Sequence, residues 1–319
     1  MAAPEDFVPV AITSRSGCDE SVHFGAVVGL GPGGDVELAI GDPSTAVYPR
    51  SSTKPMQAVA MVRAGLRLPP EMLALVCASH DGTPTQLDIV RRILATAGLD
   101  ERSLANIPGL PLNEAAADAV LRGGGGPTTL QMNCSGKHSG MLVTSATNGW
   151  PTDAGYVEPE HPLQQCITAT IDELTAEDHS HIGIDGCGSP AHVFSLLGLA
   201  RAFRTIAVGD AGAAGAAVYA CMTAYPELVG GHDRDVTKFM RNVPGLMAKD
   251  GADGVFAAAL PDGRAVALKI SDGGNRARPS VMVAALRALG IDVSAVAPLV
   301  VETIMGHGRS VGEVRAIAP

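Results

Sequence analysis

Ser51 and Lys54 stand three residues apart in the stretch Y-P-R-S-S-T-K-P-M-Q, Tyr48 to Gln57. A serine hydroxyl attacks a carbonyl only when a base within hydrogen-bond reach takes its proton. A lysine can be that base when burial or nearby positive charge lowers its pKa. The chain spends lysine sparingly: Lys54, Lys137, Lys238, Lys249 and Lys269 are all it has, against eighteen arginines. Pro55 fixes the local geometry, because proline is tolerated in the first turn of a helix and not deeper. The apolar pattern M-Q-A-V-A-M-V-R-A-G-L therefore predicts a helix opening near Pro55, with Ser51 or Ser52 at its N-cap and Lys54 one turn from Ser51. A serine cap followed by a solvated lysine is the competing reading of the same residues.

Other stretches carry reactive groups. A-L-K-I-S-D-G-G places Lys269 at the end of a strand beside an Asp-Gly turn, and C-A-S-H-D-G offers Ser79 as a proton relay. Each has a plainer reading, an edge lysine that deters aggregation and a helix-end turn. Q-M-N-C-S-G-K-H-S-G gathers Cys134, Lys137 and His138, and D-G-C-G-S-P sets Cys187 in a glycine-lined turn. Two thiols with nitrogen donors are zinc-ligand types, although the spacing matches no standard zinc motif. The same cysteines can be small buried hydrophobes, a redox pair, or, for Cys134 beside Lys137, a low-pKa nucleophile.

The elements that must position these groups follow from periodicity. Val22–Gly41 and Gly254–Ile270 read as β-hairpins around Gly/Pro and Pro-Asp-Gly turns, and His181–Ile184 reads as a strand. Gln86–Ala97, His161–Thr175, Ala191–Phe203, Ala213–Ala224, Asp233–Arg241 and Pro279–Leu289 read as helices. Strands at both ends around a helical middle predict an α+β fold, one antiparallel sheet built from N- and C-terminal strands with a helical lobe. No composition shift marks a boundary, so 1–319 is expected to form one domain. Arg122–Pro127 is a flexible loop. At 46% apolar and 18% charged residues the chain is globular, and its net charge of −10 without basic runs excludes nucleic acid as a partner. The N-terminus lacks a signal-peptide pattern and no apolar run is long enough to span a bilayer, so no membrane partner and a cytoplasmic location are expected.

Taken together, R-S-S-T-K-P, C-A-S-H-D-G, N-C-S-G-K-H, D-G-C-G-S-P and A-L-K-I-S-D-G-G resemble, in order and spacing, the Rhizobium-type L-asparaginases, the class 3 or L-asparaginase II family. The resemblance spans about Val8 to Pro319. It implies a fold similar to serine β-lactamases and glutaminases, and hydrolysis of L-asparagine to L-aspartate and ammonia through two Ser-Lys pairs. On matching positions these are Ser51 with Lys54 and Ser79 with Lys269. It further implies zinc held by Cys134, Lys137 and Cys187, with Asp185 and His138 beside the metal, and a homodimer. Arg50 or Arg276 is a candidate to hold the substrate α-carboxylate, on the grounds of adjacency and guanidinium–carboxylate geometry. Asp81 departs from the family pattern, in which serine usually follows the Ser-His pair. The rival activities are a glutaminase or broader serine amidohydrolase and a β-lactam-recognising enzyme. A silent metal- or metabolite-binding scaffold is the non-enzymatic rival.

Overall fold

The computed structural model describes residues 2–317, so Met1, Ala318 and Pro319 of the expected 1–319 domain lie outside the described residues. Strands β1 (Val8–Arg15), β2 (Cys18–Leu30), β3 (Val36–Ile40) and β4 (Ala46–Val47) precede helices α1 (Lys54–Arg63), α2 (Pro70–Val76), α3 (Pro84–Ala95), α4 (Glu114–Arg122), α5 (Ser135–Thr147) and α6 (Pro162–Thr175). Next come β5 (His181–Ile184) and β6 (Pro190–Ser195), then α7 (Leu196–Ala207), α8 (Gly212–Ala224), α9 (Pro226–Gly230) and α10 (Asp235–Asn242). The chain finishes with β7 (Met247–Asp250), β8 (Val255–Ala259), β9 (Ala265–Ile270), α11 (Arg278–Ala288), β10 (Glu302–Gly306) and β11 (Arg309–Ala316).

The main sheet is antiparallel, in the order β10-β11-β1-β2-β9-β8-β7, with β3 also paired to β2. Both expected hairpins form, β2–β3 and β8–β9. The two ends of the chain meet in the ladder, where Ala11 faces Ala316 and Ala26 faces Lys269. This is the α+β arrangement of terminal strands and a helical middle. Every residue of β8 is buried, as expected of a strand covered on both faces, and α7 and α11 both pack against β8 and β9. A second, three-stranded sheet runs β4-β6-β5.

One expected helix is corrected. Ala191–Phe203 does not form a single helix: Pro190–Ser195 is strand β6, and α7 begins only at Leu196. Ser195 sets that boundary, because its side chain accepts the Gly198 N–H at 2.8 Å and caps the helix.

The helical lobe is arranged by close backbone approaches. Gly136 and Gly140 lie one turn apart on α5 and face α2: a Cβ at Gly136 would stand 2.4 Å from Leu75 O, and one at Gly140 2.8 Å from Val76 Cγ1. Only glycine lets the two helices come this near. The start of α5, with Cys134 and Lys137, is thereby drawn against the segment Cys77–Ala78–Ser79 that follows α2. Among the described residues no single helix is long and apolar enough to cross a membrane.

Candidate active site

Arg50–Thr53 form a 3₁₀ turn, and Lys54 starts α1 with Pro55 in its first turn. The helix opens where the sequence predicts, but Thr53 is its N-cap and neither Ser51 nor Ser52 caps it. Arg50, directly before Ser51, adopts a left-handed backbone with φ +54°. Such a conformation costs a non-glycine residue strain and needs holding. The Arg50 guanidinium supplies the hold, with Nε donating to Asp185 Oδ1 at 2.8 Å and an ion pair to Asp253. Arg50 and Asp185 are therefore engaged with each other beside Ser51.

Ser51 lies in the wall of a cleft of about 330 Å³ that also contains Ser79, Asn133, Arg234, Asp250 and Arg278. An apolar groove of about 420 Å³ between α11 and β11 is larger but holds no paired nucleophile and base, so size does not locate the site.

Ser79 is buried, and its Oγ accepts two hydrogen bonds at 3.1 Å, one from Lys54 Nζ and one from Lys249 Nζ. Lys54 also donates to Ala78 O at 2.6 Å. A hydroxyl with both lone pairs occupied has only its proton left to offer. The second pair inferred from the sequence is thus corrected. Lys269 does not reach Ser79; it donates to the carbonyl of Asp253 at 2.5 Å, on the far side of β8 from β7. Lys249, on β7, takes that place. The sequence reading missed it, although the scarcity of lysine that singled out Lys54 applied equally to this one.

Lys249 has no exposed surface. Burial pushes its pKa down to about 8, and the nearby charges of Lys54 and Arg234 add to the fall against the opposing pull of Asp250. Asp250 touches Lys249 Nζ at 2.6 Å and also pairs with Arg234. Burial alone would raise the Asp250 pKa, but Lys249, Arg234 and Arg278 together hold it well below the ordinary carboxylate range. Arg234 further donates to Ser79 O at 2.8 Å. Arg276 is not in the cleft; it lines a neighbouring groove, and Arg278, two residues on, reaches the cleft instead.

Asp81 is buried and turned away from the cleft. It accepts the His232 N–H and packs against Gly231 (φ +85°), where a Cβ would stand 1.8 Å from its Oδ2. Burial raises its pKa, opposed by Arg234. Its part is to seat the turn that delivers Arg234.

The cysteine–lysine cluster assembles around Lys137, which lines a small cavity together with Ser51. Cys134, Lys137 and Cys187 are all buried, Lys137 Nζ lies 3.1 Å from Cys187 Sγ, and the two cysteine side chains are hydrogen-bonded neighbours. The Cys134 hydrogen bond, Lys137 and His138 outweigh burial and hold the Cys187 thiol far below its usual pKa. Cys134 is shifted upward by its hydrogen bond to Cys187 and by burial. His138 is buried behind them, with Nδ1 2.7 Å from Tyr156 Oη and Nε2 3.2 Å from Ser189 Oγ. It does not line the cleft. Among the described residues no three His, Cys, Asp or Glu side chains gather into a metal-holding group; this cluster joins two cysteines to a lysine.

The sequence matches the model of the family L-asparaginase II over residues 11–316, and the chain belongs to that family. No curated protein matches the sequence. Among solved structures, Mglu in its native form aligns at 15% identity and TM-score 0.45, over 82% of this chain and 62% of that one. This chain thus spans less than two thirds of the length of Mglu. A β-lactamase from Mycobacterium bovis aligns at 15% identity and TM-score 0.39, covering 83% and 94% of the two chains. A Bacillus glutaminase aligns at 11% identity and TM-score 0.36, covering 84% and 92%.

Proposed function

We propose that the protein hydrolyses L-asparagine to L-aspartate and ammonia, with Ser51 as nucleophile and the Lys54–Ser79–Lys249 chain as the proton acceptor. The observation that carries this reading is Ser79 Oγ held between two lysines at 3.1 Å each, in a cleft whose wall contains Ser51. A cleft of this size suits a small amino acid. Arg234 and Arg278 supply positive charge for the α-carboxylate, and Asp250 negative charge for the α-ammonium.

Ser51 Oγ adds to the side-chain amide carbon and its proton passes into the lysine chain. The C–N bond then breaks, the nitrogen takes a proton back from that chain, and ammonia leaves. Water hydrolyses the resulting ester with the same groups as base and acid. Lys249 suits the accepting end, because a lysine with a pKa of about 8 is partly neutral near physiological pH. Ammonia release measured with L-asparagine and L-glutamine tests the assignment. Release from asparagine at least tenfold faster in kcat/KM is expected, since the extra methylene alters discrimination by about 1–3 kcal/mol. Equal rates would make the enzyme a broad amidohydrolase.

Zinc is part of the reading. Its donor set fits: the Cys187 sulfur, with its pKa lowered, a second sulfur at Cys134 and the Lys137 nitrogen meet in one buried place. When bound, zinc would supply positive charge beside Ser51 and fix the 185–189 loop. Lys137 must release its proton to bind, as ligands do. Dialysis against a strong chelator is expected to remove about one zinc per chain and lower the Tm, with both restored by added zinc. Unchanged Tm and no zinc in the purified protein would remove the metal from this account. A cytoplasmic homodimer is proposed on the family resemblance.

A further inference from the structure

Ser51 also borders a second, small cavity of about 10 Å³. Ser51, Lys54, Gln57 and His192 are in its wall, together with the charged Arg50, Lys137 and Asp185. That is room for one water-sized group and no more. Gln57 is on α1 one turn beyond Lys54, and both it and His192 are at least nine-tenths buried. Each presents an atom to which nothing among the described residues is hydrogen-bonded, Gln57 Oε1 and His192 Nδ1. A buried polar atom without a partner is costly and calls for a ligand. The other His192 nitrogen, Nε2, is 2.8 Å from Thr168 Oγ1. The tautomer that donates Nε2–H to that hydroxyl leaves Nδ1 as an acceptor. Burial and the neighbouring His179 lower the His192 pKa to about 4, against Asp172, so the ring is neutral at ordinary pH.

We propose that this cavity seats the leaving nitrogen of the substrate amide, with Gln57 Oε1 and His192 Nδ1 each accepting one of its N–H bonds. Ser51 lines both the cleft and the cavity, so a carbonyl carbon at Ser51 Oγ places the amino-acid portion in one and the NH₂ group in the other. Two acceptors on a single small volume match a nitrogen bearing two hydrogens. Attack forms the Ser51 Oγ–C bond. Collapse breaks the C–N bond, and the nitrogen takes the proton that Ser51 had given up and departs as ammonia.

The inference rests on the amidase reading, and microscopic reversibility supplies its test. A site that holds the leaving amine also holds an incoming one. With hydroxylamine present, the acyl-enzyme partitions: the C–O bond to Ser51 breaks in both branches, giving aspartate from water or the β-hydroxamate from hydroxylamine. The ratio of the two products does not depend on how much variant is folded. Gln57→Met and His192→Leu are each expected to lower the hydroxamate-to-aspartate ratio about tenfold, the scale of one lost buried hydrogen bond. An unchanged ratio overturns the proposal. A raised ratio overturns it too, since the cavity would then hold the hydrolytic water. A wild-type enzyme that releases no ammonia from asparagine or glutamine defeats the amidase reading itself, and this inference with it.

Discussion

Ser51→Ala is expected to lower kcat for ammonia release from L-asparagine by at least roughly 10³-fold, with KM little changed, because removal of a covalent nucleophile leaves only binding and electrostatic catalysis. The Ser51 side chain is half-buried at the cleft wall, and the backbone bond from Lys54 N–H to Ser51 O survives the change, so the variant should keep the wild-type Tm. Ser79→Ala is the necessary companion. Ser79 is buried and receives two lysines, so its loss strands those donors and is expected to slow both acylation and deacylation. In that variant an ester on the peptide carrying Ser51 should accumulate enough to be seen by mass spectrometry. If Ser51→Ala kept more than a tenth of the activity while the ester appeared on Ser79, the two serines would exchange roles.

The second large effect concerns Lys249 and pH. Lysine accepts a proton only when neutral, and it is neutral above its pKa. The sign is therefore fixed: kcat/KM should rise with pH and level off above about 8. The groups facing Lys249 are Lys54 from α1, Arg234 from the turn before α10, Ser79 after α2, and Asp250 on its own strand. Only Asp250 favours the ammonium. Asp250→Asn should accordingly lower the Lys249 pKa and move the rising limb to lower pH. Lys249→Met should abolish the limb and cost about 10²–10⁴ in rate, the usual range for a general base. A limb that stays in place in both variants would assign it to another group.

The parts of this molecule that could be read from its sequence are those with local causes. Proline placed the start of α1, Pro-Asp-Gly placed the β8–β9 turn, and the Gly/Pro turn within Val22–Gly41 placed the β2–β3 hairpin, whereas β1, β7, β10 and β11 carried no signal that was read. Ala191–Phe203 was misjudged because A-H-V-F-S-L-L-G-L-A is apolar in either period, and the capping role of Ser195 depends on where the helix begins. The sequence does not separate Lys249 from Lys269, because both lie on strands near an Asp and a Gly. Which one points at Ser79 is decided by strand order: Ala257 of β8 faces Lys249 on one side, while Val255 faces Lys269 on the other. The partners of Ser51 on the cavity side, Gln57 and His192, left no motif at all. Their signal is a missing hydrogen bond, which exists only once the chain is folded.

The pairing of Ala11 with Ala316 and of Gly25 with Ile270 has a consequence for synthesis. Strand β2 emerges from the ribosome among the first elements, yet its neighbour β9 is made some 240 residues later, and β1 waits longer still for β11. Contacts so distant in sequence close slowly. The nascent chain carries both serines and Lys54 well before Lys249 arrives on β7. In the proposed mechanism Ser51, Lys54 and Ser79 therefore wait for β7, which joins the sheet only through β8 and β9.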